Sequence, residues 1–229
     1  DANLPPVLFR YDRGLARISR IGQRAVIEPL DETMLGDHLD GVMDFYRIVK
    51  SEPQPVEPPL SVIKIILSRR VLPFPQLVGI AEVPILRPDG TIVCEEGYDP
   101  ATALFYAPKA GFVLPPVPTH PTPRDVIAAK SLILDDLLVN FPFVDEASRA
   151  NAIGLLLTAA CRSAIDGLVP LALVDKPAPG TGATLLANLA SYVITGEEIP
   201  VFPSSRSEHE WRKLLTSVLL TGSPLVLID

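Results

Sequence analysis

The chain has 229 residues, 48% hydrophobic and 21% charged, a composition that forms a folded core and excludes a disordered tail or spacer. Its net charge of −7 excludes a nucleic-acid footprint spread over the whole surface, while leaving room for a local basic face. The apolar runs are broken well short of membrane-spanning length and no basic-then-apolar leader opens the sequence, so the expectation is a cytoplasmic protein with no membrane partner.

In chain order, residues 7–11, 15–20 and 25–28 predict short strands, with a hairpin turn at Asp12-Arg13-Gly14. Five arginines, Arg10, Arg13, Arg17, Arg20 and Arg24, recur through this stretch; Arg10, Arg17 and Arg24 are the candidates for a weak DNA-facing strip, against ordinary solvated strand positions. "DETMLGDHLDGVMDFYRI" (31–48) reads as one helix, with Leu35, Leu39, Val42, Met43 and Tyr46 at three-to-four spacing. A second helix follows in "PPLSVIKIILSRR" (58–70). "VPILRPDGTIVCEEGYDPATALFYAP" (83–108) predicts strand, turn at Pro88-Asp89-Gly90, strand, turn at Gly97-Tyr98-Asp99-Pro100, strand. Cys94, Cys161, His38, His120 and His209 have no metal-ligand spacing.

The proline tract "LPPVPTHPTP" (114–123) reads as an extended connector, because proline is excluded from helix interiors and central strands. It divides an α+β accessory domain, residues 1–113, from a second domain, residues 124–229. There the expected order is a helix from Thr122-Pro123, a helix capped by Asp145, and a buried strand at 168–175 ("LVPLALVD"). A glycine loop, a helix closed by Gly196, the apolar segment "IPVF", a helix from Ser207 to Gly222 and a strand "PLVLID" follow. That alternation predicts an α/β fold with a parallel sheet and flanking helices.

The glycine loop carries the chemistry. "KPAPGTGAT" (176–184) sits between a predicted strand and a predicted helix, where backbone N–H groups and the helix dipole favour an anion. It fits the phosphate-loop pattern Gly-x-x-x-x-Gly-Lys-[Ser/Thr], with Thr184 as the Mg²⁺-side hydroxyl, except at two positions. Pro177 replaces the first glycine, and Ala183 stands where the lysine belongs. Pro179, Gly180, Thr181, Gly182, Ala183, Thr184 and Leu185 are therefore the candidate nucleotide-binding residues. Asp229, ending the apolar strand, is the candidate catalytic and Mg²⁺-side carboxylate, in the Walker B position. The cations considered as substitutes for the missing lysine are Lys176, Arg206, Arg212 and Lys213.

On "PAPGTGATLLA", "ITG", "EHEWRKLL" and "GSPLVLID", the chain resembles the ATPase core of primase–helicase proteins of phages, plasmids and integrated elements, within the P-loop class that includes superfamily 3 helicases and AAA+ ATPases. "GYDPATALFYAP" and "FPFVDEASRANAIGLLLT" resemble the segments that precede that motor. The resemblance implies a DNA helicase or replication ATPase, with ATP and Mg²⁺ as cofactors, DNA as partner and a ring-forming homo-oligomer. The chain stops on Asp229, which predicts an incomplete P-loop domain and little ATPase activity alone. The missing lysine supports a second reading, a non-catalytic nucleotide-binding or scaffolding module, and an Ala183 introduced to trap a nucleotide state would read the same way.

Overall fold

The structure is a computed structural model that describes residues 7–69, 71–118, 120–178, 180–205, 207–221 and 225–229. It contains both helices and strands, the strands gathered in small sheets. The chain forms two compact units, one comprising Asp1–Ile80 with Glu96–Ala110, the other Ala81–Glu95 with Gly111–Asp229.

The first unit opens with an antiparallel meander of β1 (Leu8–Tyr11), β2 (Gly14–Ile21) and β3 (Arg24–Pro29). Both connections are tight. Asp12 and Gly22 take left-handed backbone angles, φ 50° and 63°, that aspartate tolerates and glycine adopts freely. The registers Leu8↔Arg17 and Arg10↔Leu15 put Leu8 and Leu15 on one face. There they join Leu30, Leu35, Leu39, Ile63 and Leu72 in a buried core. Phe9 and Ala16 are buried on the opposite face, with Phe9 against the rings of Tyr98 and Phe105.

Two helices cover the leucine face. α1 (Glu32–Val42) starts where the Asp31 carboxylate accepts the Met34 N–H at 2.8 Å. α2 (Leu60–Ser68) starts after Pro59 and buries Ile63. Gly36 lets the two approach, since a Cβ there would lie 3.1 Å from Ile63 Cδ1. The single helix expected over 31–48 ends instead at Val42. Tyr46–Val49 is strand β4, paired with β5 (Glu52–Pro55) across a turn with positive φ at Lys50 and Ser51. The ladder satisfies backbone groups that helix extension past Gly41 would have satisfied, so Met43 and Tyr46 are exposed rather than on a buried helical stripe. A further sheet has the order β6 (Gly79–Ala81), β10 (Leu104–Tyr106), β9 (Gly97–Asp99). Gly97–Asp99, expected as a turn, is thus a strand. The turn lies one step later, where the buried Asp99 carboxylate accepts from the Thr102 N–H and hydroxyl.

In the second unit, β7 (Ile85–Leu86) and β8 (Ile92–Val93) form the hairpin expected at Pro88-Asp89-Gly90. The Ser163 hydroxyl donates to the Leu86 carbonyl at 2.7 Å. α3 (Pro123–Ser131) carries a complete capping box, Thr122 with Asp125, and runs on into a π-helical turn, Leu132–Leu137. None of the residues of α3 is buried, so its expected apolar face meets no core. α4 (Glu146–Ala160) is capped by Asp145 as expected, and α5 (Ala183–Thr195) closes on Gly196 at φ 66°. Leu138, Ala152, Leu156, Leu186 and Ala190 pack α4 against α5, with Phe141 and Phe143 at the margin. α6 (Glu208–Thr221) begins directly after Ser207; Gly222, its expected end, lies outside the described residues.

The expected sheet is present only in part. β11 (Val201–Phe202) and β12 (Leu227–Ile228) pair in parallel, with α6 between them in the chain. Residues 168–175 are not the buried strand the apolar run predicted. They join no ladder, and Leu168, Leu171 and Leu173 are 99%, 90% and 90% exposed. Pro170 has no N–H to give a ladder, and an apolar run becomes a buried strand only where neighbouring strands and layers receive it.

Candidate functional site

The glycine loop is built as its residue types require. Gly180 and Gly182 have φ of 85° and 91°, backbone angles that cost a side-chain-bearing residue about 1–2 kcal/mol. The Thr181 hydroxyl donates to the Ala178 carbonyl at 3.0 Å and closes the turn on itself. Gly182 is the N-cap of α5 and makes no side-chain cap hydrogen bond. The Leu186 N–H bonds back to the Gly182 carbonyl, so the N–H groups of Ala183, Thr184 and Leu185 precede the first intrahelical bond. Exposed donors at a helix start, with the dipole behind them, favour an anion.

The loop rests on the core. A Cβ at Gly182 would lie 3.2 Å from Phe141 Cε2 and 3.5 Å from Cζ. Phe141 in turn packs against the cluster that contains Leu138, Ala152 and Leu186, and its ring lies tilted against that of Phe143, with centroids 4.7 Å apart. Glycine at 182 therefore serves both the backbone angle and a close approach, and Phe141 is a residue that motif reading overlooked.

Lys176 and Gly180 to Leu185 line an open hollow of about 230 Å³. That is below the roughly 300–1,000 Å³ of pockets that enclose a whole small molecule, and suits a phosphate tail better than an entire nucleotide. Lys176 is one of the lining residues, and its ammonium lies 3.6 Å from Asp229 Oδ1. Two of the other considered cations are engaged elsewhere: Arg212 pairs with Glu208 at 2.8 Å and Lys213 with Glu210 at 3.0 Å, both along α6. Arg206 and Pro179 lie outside the described residues.

Asp229 is held by backbone bonds beside β11. Its N–H donates to the Phe202 carbonyl at 3.1 Å, and its carbonyl accepts from the Ser204 N–H at 2.9 Å. Loop and aspartate are thus linked through one side chain, Lys176. No protein family, curated protein or solved structure matches this chain.

The exposed Thr184 hydroxyl and the Asp229 carboxylate offer oxygens of the kind Mg²⁺ takes, usually completed by water and substrate phosphates. Among the described residues no group of three or more His, Cys, Asp or Glu side chains could hold a metal ion.

The three arginines singled out for DNA share a sheet face by register but form no open strip. Arg10 Nε donates to the Phe74 carbonyl at 2.9 Å, and Arg17 pairs with Glu28 at 2.8 Å, while Arg24 is exposed at the start of β3. That face also carries the leucine core of the first unit. No helix among the described residues is long and apolar enough to cross a membrane.

Proposed function

We propose that this chain binds the phosphate tail of ATP at the Gly180–Leu185 loop, as a nucleotide-binding module of the P-loop ATPase kind. The observation that carries the reading is the hollow in which two left-handed glycines, the start of α5 and a lysine converge. Thr184 and Asp229 are the Mg²⁺-side oxygens in this proposal. The resemblance to primase–helicase motors extends it to DNA as the track and to a homo-oligomeric ring as the working form.

Ala183 favours binding over turnover. An ammonium at that position would neutralise charge as the terminal phosphoryl group leaves, and a methyl group cannot. Calorimetric titration of the native chain with ATP and MgCl₂, beside a steady-state phosphate-release assay with and without single-stranded DNA, tests both parts. Weak binding with negligible turnover is expected, with Ala183→Lys tightening binding. DNA-stimulated turnover by the native chain would defeat the non-catalytic reading. No heat from native or Ala183→Lys protein at millimolar ATP would defeat the phosphate-loop reading itself.

A further inference from the structure

We infer that Lys176 is the phosphate-binding cation of this loop, held in reserve on Asp229 until an anion arrives; the inference rests on the phosphate reading above. An anion in the hollow meets backbone N–H groups from Gly182 onward, and these supply dipoles but no net charge. Position 183 supplies none either. Among the described lining residues, Lys176 is the one that carries a formal positive charge.

The ion pair with Asp229 is of a kind that yields. Its atoms are 3.6 Å apart, beyond ordinary hydrogen-bond length, and the two side chains keep 38% and 58% of their exposure. Pairs this open add little stability and are screened by salt. A polyphosphate in the hollow brings several negative charges and several acceptor oxygens to the same ammonium, against the single charge of Asp229. The flexible four-carbon stem lets the ammonium turn from the carboxylate to the anion without moving the backbone. Asp229 therefore opposes anion binding in metal-free conditions, by occupying the ammonium and by keeping a like charge beside it.

Titration with inorganic pyrophosphate in metal-free buffer, followed by calorimetry and by ³¹P line broadening, tests this on the whole chain. Lys176→Gln should weaken pyrophosphate binding about tenfold or more, the worth of one charge-assisted contact. Lys176→Arg should restore most of it. Asp229→Asn should tighten binding severalfold in the Lys176 background and have a smaller effect when Lys176 is already Gln. Circular dichroism melts of each variant show that the fold is retained. If Lys176→Gln and Asp229→Asn both bind pyrophosphate like the native chain, while Gly182→Val abolishes binding, the loop is a phosphate site and the role given to Lys176 is wrong. If the native chain and Asp229→Asn both fail to bind at millimolar pyrophosphate, the phosphate reading falls and the inference with it.

Discussion

Gly182→Ala, compared with Gly180→Ala, tests whether the loop is seated on the core. Both glycines have left-handed angles, φ 91° and 85°, so alanine at either place costs about 1–2 kcal/mol in backbone strain. The two sites differ in what a methyl group meets. At 180 the new Cβ meets no atom of the described residues within 4 Å beyond its chain neighbours, whereas at 182 it sits 3.2 Å from Phe141 Cε2. Phe141, partly buried against the Leu138–Leu156–Leu186 cluster, must give by a few tenths of an ångström, and overpacking of this kind costs about 1–3 kcal/mol. Gly182→Ala should therefore destabilise the second unit by at least about 1 kcal/mol more than Gly180→Ala. Urea unfolding followed by fluorescence reads this directly, because Trp211 is the one tryptophan of the chain and belongs to that unit. With a slope of about 1–3 kcal/mol per molar urea, the two midpoints should differ by several tenths of a molar or more. Equal midpoints would refute the seating of the loop on Phe141. A native-like midpoint for both variants would refute the left-handed geometry as well.

Two further outcomes probe the frame around the site. Leu156→Ala, buried between α4 and α5, should cost about 2–5 kcal/mol, while Leu157→Ala, half exposed next to it, should fall within about 0.5 kcal/mol of native; equal losses in the same urea assay would mean that α4 turns another face inward. The Asp145 carboxyl is held below its ordinary value of 3.8, chiefly because it accepts the Ser148 backbone N–H at the start of α4. In the window between the lowered folded value and 3.8, the unfolded chain binds more protons. The contribution of Asp145 is therefore complete above that window and is lost as pH falls through it. Asp145→Asn keeps a capping oxygen but removes this titration, so its Trp211 melting temperature should fall less steeply than native on acidification, and an unchanged slope would count against the cap.

Much of the frame was legible because single residues carried it. Asp12-Arg13-Gly14 marked a hairpin turn, Thr122 and Asp145 marked helix starts, and Gly196 marked a helix end; each acts through its own backbone or its immediate neighbours. The failures came where the outcome depended on distant partners. Met43 and Tyr46 continue a helical period, yet pairing of Tyr46–Val49 with Glu52–Pro55 overrode it. "LVPLALVD" has the composition of a central strand but not the neighbours of one. The glycine loop was readable as a local motif. The approach of Phe141 beneath it and of Lys176 toward Asp229 join residues far apart in the chain, and no local spacing encodes either.

The unladdered run at 168–175 has an energetic consequence of its own. Leu168, Leu171 and Leu173 stand almost wholly in water. Covering a leucine side chain is worth about 1.5–3 kcal/mol, so the three together represent roughly 5–9 kcal/mol of hydrophobic driving force that the fold leaves unused. A micromolar complex needs about 8 kcal/mol. This stretch is therefore an apolar surface through which the chain's self-association would rise with concentration.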